Sequence, residues 1–185
     1  LHFATAISTI IIFRKDIKEI IIDLIQFKSN KSVDFSFKII ISMIPAVFVG
    51  LLFEKEIETL FNSKLSLVGF MLIITSVILF FSDKKPKNDP KKISVINALI
   101  IGVSQAIAIL PGMSRSGATI STAIFLGVNK EKAARFSFLM AIPIIFGKMS
   151  KDILSGEIIY SDTSLIPLIF GFTSAFITGL IACKW

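Results

Sequence analysis

The sequence has few of the side chains on which most enzyme sites depend. Its 185 residues include one cysteine (Cys183), one histidine (His2), one tryptophan and one tyrosine. A single cysteine excludes a disulfide scaffold, and a single histidine leaves His/Cys metal sites and a Ser-His-Asp triad with too few members. Charged residues are also sparse, at 18% compared with roughly 25% in soluble domains.

Apolar residues are correspondingly abundant. They account for 54% of the chain, 18 residues are phenylalanine, and the mean hydropathy is +0.81. A chain with so few polar side chains cannot cover a water-exposed surface, which excludes a disordered segment and an ordinary cytosolic enzyme. The composition therefore predicts an integral membrane protein.

The formal net charge of +7 has two interpretations. A basic chain can bind nucleic acid, but the lysines here flank apolar segments, and no basic helix with interleaved aromatic residues is present. Membrane proteins carry such an excess in their cytoplasmic loops under the positive-inside rule. We therefore expect no nucleic-acid partner.

Four apolar runs are long enough to cross a membrane as helices, which requires about 17–25 residues. They occupy residues 37–53, 65–81, 136–154 and 164–183. Residues 1–13 have the composition of the end of a further span, and residues 14–31 have the charge and apolar spacing of a helix lying on the membrane surface. Pro45 and Pro143 fall within spans, where we expect kinks or breaks. The predicted fold is an all-α, multi-span integral membrane protein.

The segments that join these runs alternate in charge. Residues 14–31, 82–92 and 129–135 are basic, whereas residues 54–64 and 155–163 are acidic. By the positive-inside rule, the basic segments lie in the cytoplasm and the acidic segments lie outside. The glutamates of the first acidic segment are expected in a solvated loop: Glu54, Glu56 and Glu58.

Residues 93–128 differ from the four spans. Two apolar stretches flank the polar sequence PGMSRSGAT at 111–119. The second stretch has nine residues, about 13–14 Å of helix, which is less than half of a ~30 Å core. Because basic segments lie on both sides, this part of the chain enters and leaves at the same membrane face. The sequence predicts a re-entrant helical hairpin over 93–128, with 111–119 as the loop at its tip.

Arg115 is the only charged residue in 93–129, and no acidic residue lies near it in the sequence. At bilayer depth an arginine costs at least about 2.5–3.5 kcal/mol, so something must compensate its charge. Pro111 is expected to end the first half-helix, and Ser114 or Ser116 to cap the second, whose N–H groups would face the same place. Further hydroxyl and glycine residues surround the arginine: Thr119, Gly112 and Gly117. Together these groups predict a phosphate or other anion site.

The same residues also have a structural interpretation. Small and hydroxyl side chains allow membrane helices to pack closely, and an arginine can extend its head group to the interface. Packing is the preferred interpretation of the hydroxyls alone, whereas Arg115 in mid-segment favours the anion site. Gln105, ten residues earlier, either hydrogen-bonds across the site or joins two helices.

The sequence PGMSRSGAT at 111–119 resembles the P-G-x-S-R-S-G-x-T signature of the undecaprenyl-diphosphate phosphatase family of the bacitracin-resistance type. Two further blocks agree with it. MIPAV at 43–47 with GLLF at 50–53 is similar to one span of that family, and FSFLMAIP at 136–143 is similar to its F-S-F-L-x-A-x-P. The resemblance covers essentially the whole chain in order.

The resemblance implies an enzyme of the bacterial plasma membrane that removes the terminal phosphate of undecaprenyl diphosphate. The product is the monophosphate lipid carrier that cell-wall synthesis reuses. It also implies two re-entrant hairpins related by an inverted repeat, so that this chain holds half of that architecture. The implied catalytic residues are Arg115 as the phosphate clamp, with Ser114 and Thr119 as hydroxyls that contact the phosphate. The substrate-binding assignments are Ser116, Gly112, Gly117 and Gln105.

A second family signature is implied upstream, an E-x-x-x-E stretch followed by P-x-S-S-T-G-H, and residues 1–185 do not contain it. The resemblance assigns to it the catalytic base and the ligands of a divalent cation, Mg²⁺ or Ca²⁺, and we assign no metal ligand within this chain. Because the sequence begins at Leu1 within an apolar run, we expect it to be part of a longer protein.

Two other interpretations stay open. Half-helix termini near the bilayer midplane are also typical of transporters, so a transporter or flippase for an anionic lipid is the alternative function. The other is a fragment that binds the anion without turnover. The expected partners are a polyprenyl diphosphate lipid and the bilayer, and a homodimer is left open.

Overall fold

The computed structural model describes residues 2–25, 31–63, 65–85, 92–154 and 165–184. Nine helices and no strand are found in these ranges. The helices are α1 (His2–Ile12), α2 (Arg14–Ile25), α3 (Lys31–Leu52), α4 (Glu54–Ser63), α5 (Leu65–Asp83), α6 (Val95–Ile107), α7 (Arg115–Phe125), α8 (Lys130–Leu154) and α9 (Leu165–Lys184). The second acidic segment, with Glu157 and Asp162, lies outside the described residues, as does most of the basic segment 82–92.

Four of these helices are long and apolar enough to cross a membrane. The segments are Val33–Leu52, Leu65–Asp83, Lys130–Lys151 and Ile166–Cys183. They coincide with the four predicted runs, so the prediction of an all-α, multi-span integral membrane protein is confirmed. With 13 and 11 residues, α6 and α7 are too short to span, as the hairpin interpretation requires.

Many apolar side chains face outward, and most buried polar side chains are hydroxyls. None of the span Ile166–Cys183 is buried within the protein, and Phe170 in it is 70% exposed. The buried polar residues in the described ranges are serines and threonines together with Gln105, and none of them is charged. Lipid tails solvate apolar faces as well as another helix does, so membrane helices associate through small and hydroxyl residues of this kind.

The chain forms two compact units. One comprises Leu1–Val33 and Ala141–Trp185, and in it α1 packs along α9. Small residues form this crossing, because a Cβ at Gly179 would overlap the hydroxyl of Ser8. The hydroxyl of Thr9 lies 3.8 Å from the Cys183 sulfur, which therefore packs at the same interface.

The other unit, Asp34–Met140, holds the hairpin of α6 and α7 and the helices around it. The hydroxyl of Ser42 in α3 contacts the Met140 sulfur in α8 at 2.8 Å. Gly102 in α6 lies against the backbone of Ser42, where a Cβ would overlap the serine carbonyl. The unit therefore brings α3, α6, α7 and α8 around one buried interior.

Helices α5 and α7 run parallel. Three polar contacts join them in the same order along both helices: Thr75 to Ser114, Ser82 to Ser121, and Lys85 to the carbonyl of Phe125. Thr75 is eight residues before Asp83, the last residue of α5, which is about 12 Å along the helix and less than half of a ~30 Å hydrocarbon core. The start of α7 thus lies near the middle of the α5 span, which supports the prediction of a re-entrant hairpin.

Three local expectations were wrong. The segment with Glu54, Glu56 and Glu58 is the helix α4, with exposed glutamates, and not a loop. Its apolar residues Ile57, Leu60 and Phe61 have helical spacing, and acidic residues in its first turn favour the helix dipole. Of the kinks or breaks expected at Pro45 and Pro143, no break occurs, because both prolines lie inside continuous helices, where each withholds an N–H from the carbonyl four residues earlier.

The third correction concerns the predicted loop 111–119. It is irregular only as far as Ser114, and from Arg115 onward it forms the first turns of α7. The first half-helix also ends earlier than expected, at Ile107, so Pro111 lies in the turn after α6 and does not terminate it.

Candidate anion-binding site

Two residues shape the turn between α6 and α7: a proline, whose ring fixes φ, and a glycine with a left-handed backbone conformation. Pro111 is fully buried in it. Gly112 has φ of +88°, a left-handed conformation that favours glycine. A Cβ at Gly112 would also overlap the carbonyl oxygen of Val68 in α5. Glycine at this position therefore allows the tip of the hairpin to lie directly on the backbone of α5.

Ser114 is the N-cap of α7. Its side chain accepts a hydrogen bond from the N–H of Gly117 at 3.1 Å. This resolves the two candidates for the cap, Ser114 and Ser116, whose hydroxyl oxygens lie 3.4 Å apart. Gly117 fits tightly, since a Cβ there would lie 3.1 Å from the Ser114 side chain and 3.2 Å from the Thr75 methyl carbon.

Two backbone donors at the start of α7 stay free. Among the hydrogen bonds of the described residues, none uses the N–H of Arg115 or of Ser116. Such donors, together with the positive end of the helix dipole, favour an anion at a helix N-terminus. The neighbouring N–H of Ser114 is instead used to hold the loop, because it donates to the hydroxyl of Thr75 at 3.2 Å.

The guanidinium of Arg115 provides the charge of the site. Arg115 is partly buried, and within the described ranges its guanidinium has no ion pair and no hydrogen bond. A partly buried cation without a counter-ion is unfavourable unless a ligand supplies the negative charge. Its fork of donors can bind two oxygens of one phosphate.

Thr119 lies one turn into α7 and is fully buried. Its hydroxyl is 2.9 Å from the carbonyl of Arg115 and 2.6 Å from the hydroxyl of Ser137 in α8. These contacts occupy the hydroxyl within the protein. A contact between Thr119 and phosphate stays a prediction, and it requires exchange of one of these hydrogen bonds.

Gln105 is the most unusual buried residue of the unit. It is 2% exposed, and among the described residues neither its side-chain nitrogen nor its side-chain oxygen has a hydrogen-bond partner. It lies on the face of α6 that carries Gly102, one turn away, and thus toward the interior of the unit. The hydrogen bond of Gln105 across the site is not formed by the residues that the structure describes, and a contact between its amide and a ligand stays a prediction.

The structure thus brings Gly112, Ser114, Arg115, Ser116 and Gly117 together at the start of α7, with Thr119 one turn behind. Three residues around α7 were not predicted from the sequence: Thr75 and Ser137, which hold its first turn, and Ser82, which bonds farther along the helix. A signal for two of them exists. Thr75 and Ser82 are seven residues apart in a largely apolar span, a spacing that puts both on one helix face, and they are the buried residues of α5.

A divalent cation does not fit the described residues. They contain no group of three or more histidine, cysteine, aspartate or glutamate side chains that could hold a metal ion. The free N–H groups and the guanidinium of the site can only donate, so they bind anions and not cations. The cation implied by the resemblance stays a prediction, and no step below depends on it.

Comparison with known proteins identifies the family. The profile of the family described as bacitracin resistance protein BacA matches residues 1–185, the whole chain. The chain belongs to the BacA family. The resemblance seen in the signature at 111–119 is therefore confirmed.

Similar BacA proteins carry the name undecaprenyl-diphosphatase. One from Christiangramia forsetii is 59% identical over 185 residues, covering 100% of this chain and 70% of that protein. One from Bacteroides fragilis is 45% identical over 187 residues, with 100% and 70% covered. One from Methanococcus vannielii is 41% identical over 187 residues, with 98% and 70% covered.

Proposed function

We propose that this chain carries the phosphate-binding part of an enzyme that hydrolyses undecaprenyl diphosphate to undecaprenyl phosphate and inorganic phosphate. The observation that carries the proposal is the Arg115 guanidinium, which has no counter-ion among the described residues, on the same first turn as the free N–H groups of α7. The BacA relatives named undecaprenyl-diphosphatase support the substrate. The enzyme is a multi-pass protein of the bacterial plasma membrane.

The chemistry requires binding of a doubly charged group and stabilisation of its transition state. Water adds to the terminal phosphorus while the bond to the bridging oxygen breaks, and undecaprenyl phosphate leaves. Phosphoryl transfer of this kind is catalysed largely by positioning and electrostatic stabilisation of the equatorial oxygens. Arg115 binds two of these oxygens, and the N–H groups of Arg115 and Ser116 are donors for another.

The depth of the site suits a lipid substrate. The start of α7 lies beside Thr75, near the middle of the span Leu65–Asp83. Helix α6 exposes a row of apolar side chains to the lipid, among them Ile96 at 70% and Ile107 at 52%. A polyprenyl tail can therefore lie along the hairpin in the bilayer while the diphosphate reaches Arg115.

The hydroxyls have separate roles in this proposal. Ser114 and Ser116 lie at the N-terminus of α7 and contact the phosphate, whereas Gly112 and Gly117 let the loop and the first turn of α7 pack closely against α5. Gln105 offers an amide with free donors and a free acceptor to the diphosphate. The catalytic base is not among these groups, and the resemblance assigns it to the upstream signature.

Release of inorganic phosphate from undecaprenyl diphosphate tests the proposal. The protein is expressed at the full length of its gene, purified in detergent, and compared with Arg115→Lys and with Arg135→Lys. Arg135 is an exposed arginine of the same unit, so its replacement is a matched control. Arg115→Lys keeps a cation but loses the fork, and we expect turnover to fall at least about tenfold, as for loss of one charge-assisted hydrogen bond.

The same preparation in vesicles separates hydrolysis from transport. Phosphate release by the wild type, reduced in Arg115→Lys and unchanged in Arg135→Lys, supports the proposal. Movement of the lipid between leaflets without phosphate release would instead support a flippase. Equal turnover by Arg115→Lys and wild type would show that Arg115 is not the clamp.

A further inference from the structure

We propose that Ser137 in α8 is a positioning residue for Arg115, and that it acts through Thr119. This inference rests on the proposed function, because it concerns the geometry of the same phosphate site. Ser137 is 5% exposed and Thr119 is fully buried, and their hydroxyl oxygens are 2.6 Å apart. Neither the motif at 111–119 nor the hydropathy pattern points to Ser137.

The direction of this hydrogen bond follows from the available partners. Within the described ranges, the hydroxyl of Ser137 has one hydrogen-bond partner, Thr119. The hydroxyl of Thr119 has three, since it also lies 2.9 Å from the carbonyl of Arg115 and 3.3 Å from that of Ser116. A carbonyl can only accept, and each hydroxyl has one proton to donate. Both protons are used when Ser137 donates to Thr119 and Thr119 donates to Arg115.

This relay ties the backbone of Arg115 to α8. On the opposite side, the N–H of Ser114 is bonded to Thr75 in α5. The N–H of Ser114 and the carbonyl of Arg115, which lie on the two sides of the Ser114–Arg115 peptide bond, are thus anchored to two different helices. The direction in which the guanidinium leaves the backbone is fixed by both anchors, and loss of either allows the first turn of α7 to move.

A second pair of buried hydroxyls provides a matched control. Ser82 in α5 and Ser121 in α7 are both buried and hydrogen-bonded at 3.0 Å. Ser121 lies six residues after Arg115, about 9 Å along the helix. Ser121→Ala therefore removes an equivalent buried hydrogen bond of α7 without touching the backbone at Arg115.

A double-mutant cycle on phosphate release tests the positioning role in the protein at the full length of its gene. Ser137→Ala should lower kcat about three- to tenfold, the range for one net hydrogen bond, with KM within about twofold. In the Arg115→Lys background, Ser137→Ala should change kcat by less than about twofold, because the guanidinium that Ser137 positions is already absent. Ser121→Ala should leave kcat unchanged in both backgrounds, and Ser137→Thr, which keeps the hydroxyl, should restore it.

Hydrogen–deuterium exchange gives a readout that does not require turnover. Ser137→Ala should speed exchange of the backbone amides in a peptide covering 113–120, and Ser121→Ala should not. If the wild type releases no phosphate, the proposed function is wrong, and the exchange result alone decides whether Ser137 holds the first turn of α7.

Two outcomes would overturn the positioning role. One is an equal fold-loss of kcat when Ser137→Ala is made in the wild type and in Arg115→Lys, which is the behaviour of a purely structural residue. The other is unchanged exchange over 113–120 in Ser137→Ala. Either result leaves the proposed phosphatase function intact when the wild type turns over.

Discussion

The hydroxyl of Thr75 accepts a hydrogen bond from the backbone N–H of Ser114 at 3.2 Å. Thr75 itself donates to the carbonyl of Met71, so its single hydroxyl links a membrane-spanning helix to the N-cap of α7. The contact sets the depth of the signature loop near the middle of the span. It also leaves the next two N–H groups, those of Arg115 and Ser116, free for an anion.

Thr75→Val should weaken the site without creating a cavity, because valine keeps the shape of threonine and loses only the hydroxyl. We expect kcat/KM for phosphate release to fall about two- to tenfold, as for loss of one net hydrogen bond. Ser76→Ala is the control, since the Ser76 hydroxyl is exposed and bonded within its own helix, to Leu72. An unchanged kcat/KM in Thr75→Val would show that this anchor does not set the geometry of the site.

Gly112→Ala should destabilise the protein. Its φ of +88° costs about 1–2 kcal/mol for a residue with a Cβ, and the added carbon would meet the backbone of Val68. Each kcal/mol lowers the unfolding midpoint by about 2–4 °C in a chain of 150–250 residues. Gly69→Ala, next to Val68 but with open space around its Cβ, should leave the midpoint unchanged or raise it slightly. Equal midpoints for the two variants in detergent would contradict the close approach at Gly112.

Gln105→Met should separate stability from function. The buried amide of Gln105 has no partner in the part of the chain that the structure describes, and such unpaired groups cost about 1–3 kcal/mol. Methionine of similar volume removes this cost, so the thermal midpoint without substrate should rise while kcat/KM falls. Ser104→Ala, one residue earlier and bonded within its own helix, should change neither. A lower midpoint in Gln105→Met would show that the amide is satisfied inside the protein.

Hydropathy and charge predicted most of the fold because a membrane constrains both. Spans such as Leu65–Asp83 and the hairpin helices follow from run length and from the basic segments beside them. The helix α4 was missed because its four charged residues hid the helical spacing of Ile57, Leu60 and Phe61. No break occurs at Pro45 or Pro143, because a helix in a membrane protein tolerates one missing hydrogen bond when neighbouring helices support it.

The centre of the site was predictable and its supports were not. Arg115 is noticeable in the sequence because it is a single charge within a long apolar stretch. The hydroxyl residues around it, Ser114, Ser116 and Thr119, are close to it along the chain. Thr75 and Ser137 lie 40 and 22 residues away from Arg115 in apolar helices, where a hydroxyl is a common packing residue. Their role depends on which helices meet, and single-sequence periodicity does not contain that information.

The proposed binding of the released phosphate by Arg115 is tested most directly by measuring phosphate release from undecaprenyl diphosphate by Arg115→Ala at the full length of the gene, beside the wild type and Arg135→Ala. We expect a loss of about 10²–10³-fold in kcat for Arg115→Ala, typical of removing a donor to transition-state charge, and no loss for Arg135→Ala. Turnover by Arg115→Ala within twofold of the wild type would contradict the proposed binding.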